Sequence, residues 1–163
     1  MTEDQLTKTL EANLARLLQW IAAAEARTSV VLGIDTAMLG TLALFAPTPK
    51  AWSTAGAAFA SLAVGALGLS LAFLAAASFP RTQGPARSLL FFNGIAELGS
   101  DEYILKTRSL TSGQYLEDLS RQCHRNAQIA AIKFKWIKLS QMALFFGIIP
   151  WTVALFLLYQ GRS

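Results

Sequence analysis

The sequence has few of the residues that carry chemistry. One cysteine and one histidine occur among its 163 residues, which excludes an intrachain disulfide. The two are adjacent, Cys123 and His124, and neighbouring side chains on a helix point about 100° apart, so they do not form a nucleophilic pair. HExxH and CxxC metal spacings are missing, as is a Gly-rich phosphate loop of the Walker type, and no metal or cofactor is implied. Charge is scarce at 15% of residues. Residues 51–79 and 139–159 contain no charged residue, and 28–46 contain only Asp35. An intramembrane hydrolase needs paired acids or a Ser–His dyad at depth, so the expectation is a protein that is not an enzyme.

What is abundant is apolar sequence, 53% of the chain, clumped into those same three blocks. Each meets the roughly 20 residues a helix needs to cross about 30 Å of hydrocarbon. The predicted fold class is an all-α integral membrane protein with three transmembrane helices, 28–46, 51–79 and 139–159, and a cytoplasmic helical stalk. A cleaved signal peptide fits poorly, because residues 1–27 precede the first block and no cleavage-like ending follows it. Buried helices of a soluble bundle fit poorly too, since such helices seldom lack a polar face over this length.

Orientation follows from lysine and arginine. With a cytoplasmic N terminus, residues 1–27 and 80–138 lie inside and hold Lys8, Arg16, Arg27, Arg81, Arg87, Lys106, Arg108, Arg121, Arg125, Lys133, Lys135 and Lys138. Only Lys50 and Arg162 fall outside. The expectation is a multi-pass protein of a bacterial inner membrane, N terminus cytoplasmic and C terminus periplasmic. The net charge of +4 then reflects topology and anionic lipid; no aromatic-interleaved motif accompanies it, so nucleic acid is not an expected partner.

The polar segments carry helix signals. Thr2 with Gln5 and Thr111 with Gln114 match capping boxes. Leu6, Leu10, Leu14, Leu17 and Ile21 recur on one face, and Leu116, Leu119, Cys123, Ala127, Ala130, Phe134 and Ile137 on another. Ser100 is a candidate cap for a short helix carrying Asp101 and Glu102 in its first turn. These stripes predict a helical stalk of residues 4–27 and 112–138, packed within or between subunits; an interfacial helix on the membrane surface is the other reading of one stripe.

Within the bilayer, close backbone approach drives pairing. Small residues in rows, Gly33 and Ala37 in the first span and Ser61, Gly65, Gly68 and Ala72 in the second, are the expected contacts, with self-association a possible use of them. Pro150 predicts a kink. Trp52 suits an interfacial belt, whereas Trp151 lies deeper and is expected to face the bundle. Asp35, about 10 Å in from the cytoplasmic edge, is costly unless hydrated, paired or protonated. It is expected to face the bundle with Thr36, Thr41 or Ser61 as partner, either locking helices or lining a gate.

The chain becomes recognisable in Phe91 to Gly94, Asp101-Glu102-Tyr103, Tyr115-Leu116, Asp118-Leu119, Gln122, Asn126-Ala127 and Lys133-Phe134, together with "LQWIAAAEARTSVVLGID". It resembles the transmembrane effectors of the Pycsar antiphage systems, small bacterial membrane proteins encoded beside a pyrimidine nucleotide cyclase. The resemblance implies an effector that responds to cyclic UMP or cyclic CMP and impairs the inner membrane, causing abortive infection. Some effectors of this kind carry a separate nucleotide-binding β-barrel; residues 80–138 are helical and too few for one. Sensing then falls to this segment or to a partner protein. A cyclic phosphate is anionic, so Arg81, Arg87, Arg108, Arg121 and Arg125 are candidate ligands, with Asn93 and Asn126 able to read base edges. The alternative function is a constitutive membrane scaffold whose helices dock a soluble partner.

Overall fold

Residues 2–48, 51–81, 83–85 and 88–161 are described by a computed structural model. They form five helices: α1 Glu3–Phe45, α2 Thr54–Ser78, α3 Phe92–Ala96, α4 Ser100–Arg108 and α5 Ser112–Gln160. The described residues include no strand. Lys50, Arg87 and Arg162, used above for topology or ligand binding, lie outside the described residues.

Local chemistry accounts for the helix ends. Thr2 and Gln5 exchange reciprocal backbone and side-chain hydrogen bonds at the start of α1, and Thr111 and Gln114 do the same at the start of α5. Each pair satisfies two donors that the first turn leaves without partners. Ser53 caps α2 through the Gly56 amide at 3.1 Å. At α4 the expected cap is displaced by one residue. Gly99 takes the cap position with no side-chain bond, and Ser100 is the first helical residue. The acids Asp101 and Glu102 open that helix and Lys106 and Arg108 close it, matching the helix dipole.

The chain divides into two compact units, Met1–Ala23 with Pro80–Ile132, and Ala24–Phe79 with Lys133–Ser163. α1 and α5 contribute residues to both. At 25 residues α2 is about 37 Å long, while α1 at 43 and α5 at 49 residues reach about 65 and about 73 Å. All three contain stretches long and apolar enough to cross a membrane.

The second unit is apolar on both its inner and outer surfaces. Inside, Val31, Met38, Leu67, Leu74 and Leu144 form one cluster, and Leu42, Ala60, Ala63, Ala154 and Leu158 another. Outside, Leu44, Leu62, Phe145, Phe146, Ile149 and Phe156 are exposed, a surface that belongs in lipid. The inward positions follow an alternating three-four spacing on each helix. On α2 they are Gly56, Ala60, Ala63, Leu67, Ser70, Leu74 and Ala77. On α1 they are Ala24, Val31, Asp35, Met38 and Leu42.

The small residues expected at these contacts are not the ones that pair the spans within the chain. Gly33, Ala37, Ser61, Gly65, Gly68 and Ala72 are all exposed, and a methyl added to Gly33, Gly65 or Gly68 meets nothing within 4 Å. A helix that is apolar all round carries no polar face to say which side turns inward. The close approach instead uses Gly147 of α5, whose added methyl would lie 3.2 Å from that of Ala66. α5 continues helical through Pro150, and Trp151 faces the bundle, its Nε1 donating to the Met38 carbonyl at 2.9 Å.

The first unit is stitched more by polar groups. Leu6, Leu10, Leu14, Leu17 and Ile21 of α1 are half-buried. Cys123 donates its thiol to the Leu10 carbonyl at 3.4 Å, and Tyr115 its hydroxyl to Glu11 at 2.7 Å. On α5 the buried positions are Leu119, Gln122, Asn126, Ile129 and Ala130. Ala127, placed on the apolar stripe by sequence, is exposed. Two amides therefore occupy the inward face in its stead.

Candidate functional site

The first unit carries a basic cleft along one side of α5. Ser120, Arg121, His124, Arg125 and Gln128 share a helical face and lie opposite the turn Gln83-Gly84-Pro85, enclosing about 590 Å³. Arg125 is tied down by both sides of the cleft. Its Nε donates to the Gln83 carbonyl at 2.8 Å and its Nη1 to Gln128 Oε1 at 3.4 Å. Arg121 pairs with Glu117 one turn earlier, and His124 sits 3.0 Å from the Gln128 amide. Arg121 also borders a second cleft of about 530 Å³, where Lys106, Gln114, Glu117, Asp118 and Ser88 are among the lining residues. The arrangement offers forked cationic donors beside backbone and amide groups, the chemistry that receives a phosphate.

Ser88 organises the loop on which this site depends. Its hydroxyl accepts from the Leu90 and Phe91 amides and from Gln122 Nε2 at 2.8 Å, while Asp118 accepts from the Leu89 amide at 2.9 Å. A side chain on Gly94 would collide with the Ser88 carbonyl. The loop thus rests against α3 and α5 at defined points.

Of the residues expected to bind a ligand, Arg121 and Arg125 come together here. Arg108 is exposed in the last turn of α4, Arg81 and Asn93 are half-buried, and none of the three borders either cleft. Asn126 is buried with its amide donating to the Gln122 carbonyl at 2.9 Å, so it fits the helix core rather than a base edge. His124, Gln128 and the backbone of Gln83 were missed by sequence reasoning. Their signal is the i, i+4 recurrence of Arg121-Arg125 and His124-Gln128 on one face. Cys123 turns the other way, onto α1, and burial raises its thiol above the ordinary cysteine range.

The second unit holds a polar cluster of another kind. Asp35, Ser70 and Ser140, one from each long helix, are all 0% exposed. Ser70 Oγ donates to Asp35 Oδ2 at 2.7 Å and lies 2.9 Å from Ser140 Oγ. Asp35 Oδ1 has no hydrogen-bond partner among the described residues. The partners expected from sequence are engaged elsewhere. Thr36 and Thr41 bond to the Leu32 and Ala37 carbonyls of their own helix, and Ser61 is exposed. Further along the same helices Lys133, 7% exposed, reaches Glu25 and the Ala77 carbonyl at 3.2 Å each, and Arg27 lies over the Phe134 ring.

Comparison with known families matches residues 9–160 to the Pycsar effector protein domain, PycTM. Comparisons with curated proteins and with solved structures return no significant match. With three membrane-length helices and a family match over nearly the whole chain, the chain belongs to the Pycsar effector protein domain family and is a transmembrane antiphage effector.

Proposed function

We propose that this effector senses a cyclic pyrimidine nucleotide, cyclic UMP or cyclic CMP, made by a partner cyclase during infection, and answers by impairing the bacterial inner membrane, an abortive response without catalysis. The N terminus is cytoplasmic and the C terminus periplasmic, which places the basic cleft where the nucleotide is made. The observation that carries the reading is Arg121 and Arg125 on one face of α5 opposite the Gln83–Pro85 turn. The cyclic phosphate bears one negative charge and accepts hydrogen bonds from both guanidinium groups. Arg121 and Arg125 sit on the helix that also supplies Ser140 to the spans. Binding shifts the packing of α5 only if the nucleotide prefers one arrangement of it over the other. Self-association of the spans through their exposed apolar faces completes the lesion.

Calorimetric titration of the detergent-solubilised protein with each nucleotide tests the sensing step. Saturable binding is expected, with Arg125→Ala weakening it by about tenfold or more, about 1.4 kcal/mol. No heat with either nucleotide would refute direct sensing. Dye uptake by cells carrying the effector and its cyclase tests the second step; growth arrest with intact membranes would refute it.

A further inference from the structure

We infer that Asp35, Ser70 and Ser140 form a two-way latch: they fix the closed register of the three spans while keeping one carboxyl oxygen in a state that only opening can satisfy. The inference rests on the membrane-impairing function proposed above and adds the device that holds the spans ready. All three residues are fully buried, and each of the three long helices supplies one of them. A single hydroxyl, that of Ser70, joins the cluster, reaching Asp35 Oδ2 at 2.7 Å and Ser140 Oγ at 2.9 Å. Polar residues at inward positions of a three-four seam specify which registers pair, because any other register strands all of them in an apolar environment.

The second half of the inference comes from Asp35 Oδ1, which is buried without a hydrogen-bond partner among the described residues. Buried polar atoms in folded proteins are paired with few exceptions, and an exception marks stored strain, a ligand or a function. In the closed arrangement this oxygen receives no bond from the described residues of the protein. When the spans part and water enters, it regains a donor. The same side chain therefore specifies the closed state through Oδ2 and favours the open state through Oδ1. That balance leaves the bundle close to its switching point, which is what a modest differential affinity of a ligand needs in order to move it. Lys133, the buried lysine of α5, donates to Glu25 and to the Ala77 carbonyl rather than to the cluster, and α2 contributes no charged side chain over Thr54–Ser78.

The two halves predict opposite signs. Ser70→Ala strands both carboxyl oxygens in the closed state, whereas Asp35→Val removes the stranded oxygen and leaves Ser70 and Ser140 free to bond carbonyls of their own helices. In vesicles of zwitterionic and anionic lipid loaded with a self-quenched dye, Ser70→Ala should raise nucleotide-free leakage several-fold. Asp35→Val should reduce nucleotide-stimulated leakage several-fold. Thermal melting in detergent reads the same balance without leakage: Ser70→Ala should melt below the parent and Asp35→Val above it. If both variants shift in the same direction, or if neither shifts, the latch is overturned. A parent that binds nucleotide yet never leaks would refute the proposed membrane function, and the melting order would still decide the latch.

Discussion

Among the described residues Lys133 is the one buried ammonium in the second unit, and its two acceptors differ in what they contribute. The Glu25 carboxylate is 63% exposed, so solvent screens the pair and Glu25→Gln should cost less than about 1 kcal/mol. The Ala77 carbonyl lies at the last turn of α2, and Lys133, which donates to it, is itself buried. Lys133→Ala should therefore cost about 2 kcal/mol through a carbonyl left unpaired and lost packing. Melting of the two variants in detergent checks the order, and equal losses would show that the exposed acid matters more than this geometry allows. Tyr115 gives a second prediction at this scale. Its hydrogen bond to Glu11, burial and the charge of Glu11 raise the phenol above its ordinary value. The unfolded chain thus ionises first, and the contribution of Tyr115 is intact below about pH 10 and lost as pH rises through the higher folded value. Tyr115→Phe should flatten this alkaline decline in a helicity titration; an unchanged slope would place the alkaline loss elsewhere. The conspicuous residue, Asp35, was legible in the sequence, but its partners were not. A serine or threonine in a span usually bonds a carbonyl of its own helix, as Thr28, Thr36, Thr41 and Thr152 do here, so nothing in composition sets Ser70 and Ser140 apart.

Among the elements, helix ends and apolar spans were readable because each is set by local chemistry: capping boxes at Thr2 and Thr111, and long uncharged runs. Which side of α2 turns inward was not readable from residue size. Rows of small residues exist on both sides, and only Gly56, Ala60, Ala63, Ser70 and Ala77 share the inward spacing that Leu67 and Leu74 complete. Gly147 illustrates the consequence. With Ala66 of α2 only 3.2 Å from where its Cβ would lie, Gly147→Leu forces α2 and α5 apart or strains both, at about 1 to 3 kcal/mol. Gly65→Leu points into open space and should change the melting of the single chain by no more than about 0.5 kcal/mol. If copies of the chain meet on that outer face, the same substitution should abolish chemical cross-linking between them while melting stays constant. A Gly147→Leu protein that melts like the parent would contradict the close approach.

For the whole molecule, the distribution of lysine and arginine is the feature that joins fold to function, because a basic cleft serves a cytoplasmic nucleotide only if it faces the cytoplasm. The proposed orientation applies the positive-inside rule to residues 1–27 and 80–138, and on that proposal three crossings deliver the C terminus to the other side. The bias does not rest on one residue. α5 alone carries Arg121, Arg125, Lys133, Lys135 and Lys138 before its apolar stretch and no lysine or arginine within it, so the proposed topology keeps that end of α5 in the cytoplasm. A fluorescent protein that matures only in the cytoplasm should glow when fused ahead of Thr2 and stay dark after Gln160. Alkaline phosphatase, which needs the periplasm, should be active after Gln160 and inactive when fused after Leu110. The reverse pattern would turn Arg121 and Arg125 away from any cytoplasmic nucleotide and remove direct sensing along with the topology. Activity of both reporters at both ends would mean a mixed orientation, in which only the molecules inserted with the basic cleft in the cytoplasm could respond to infection.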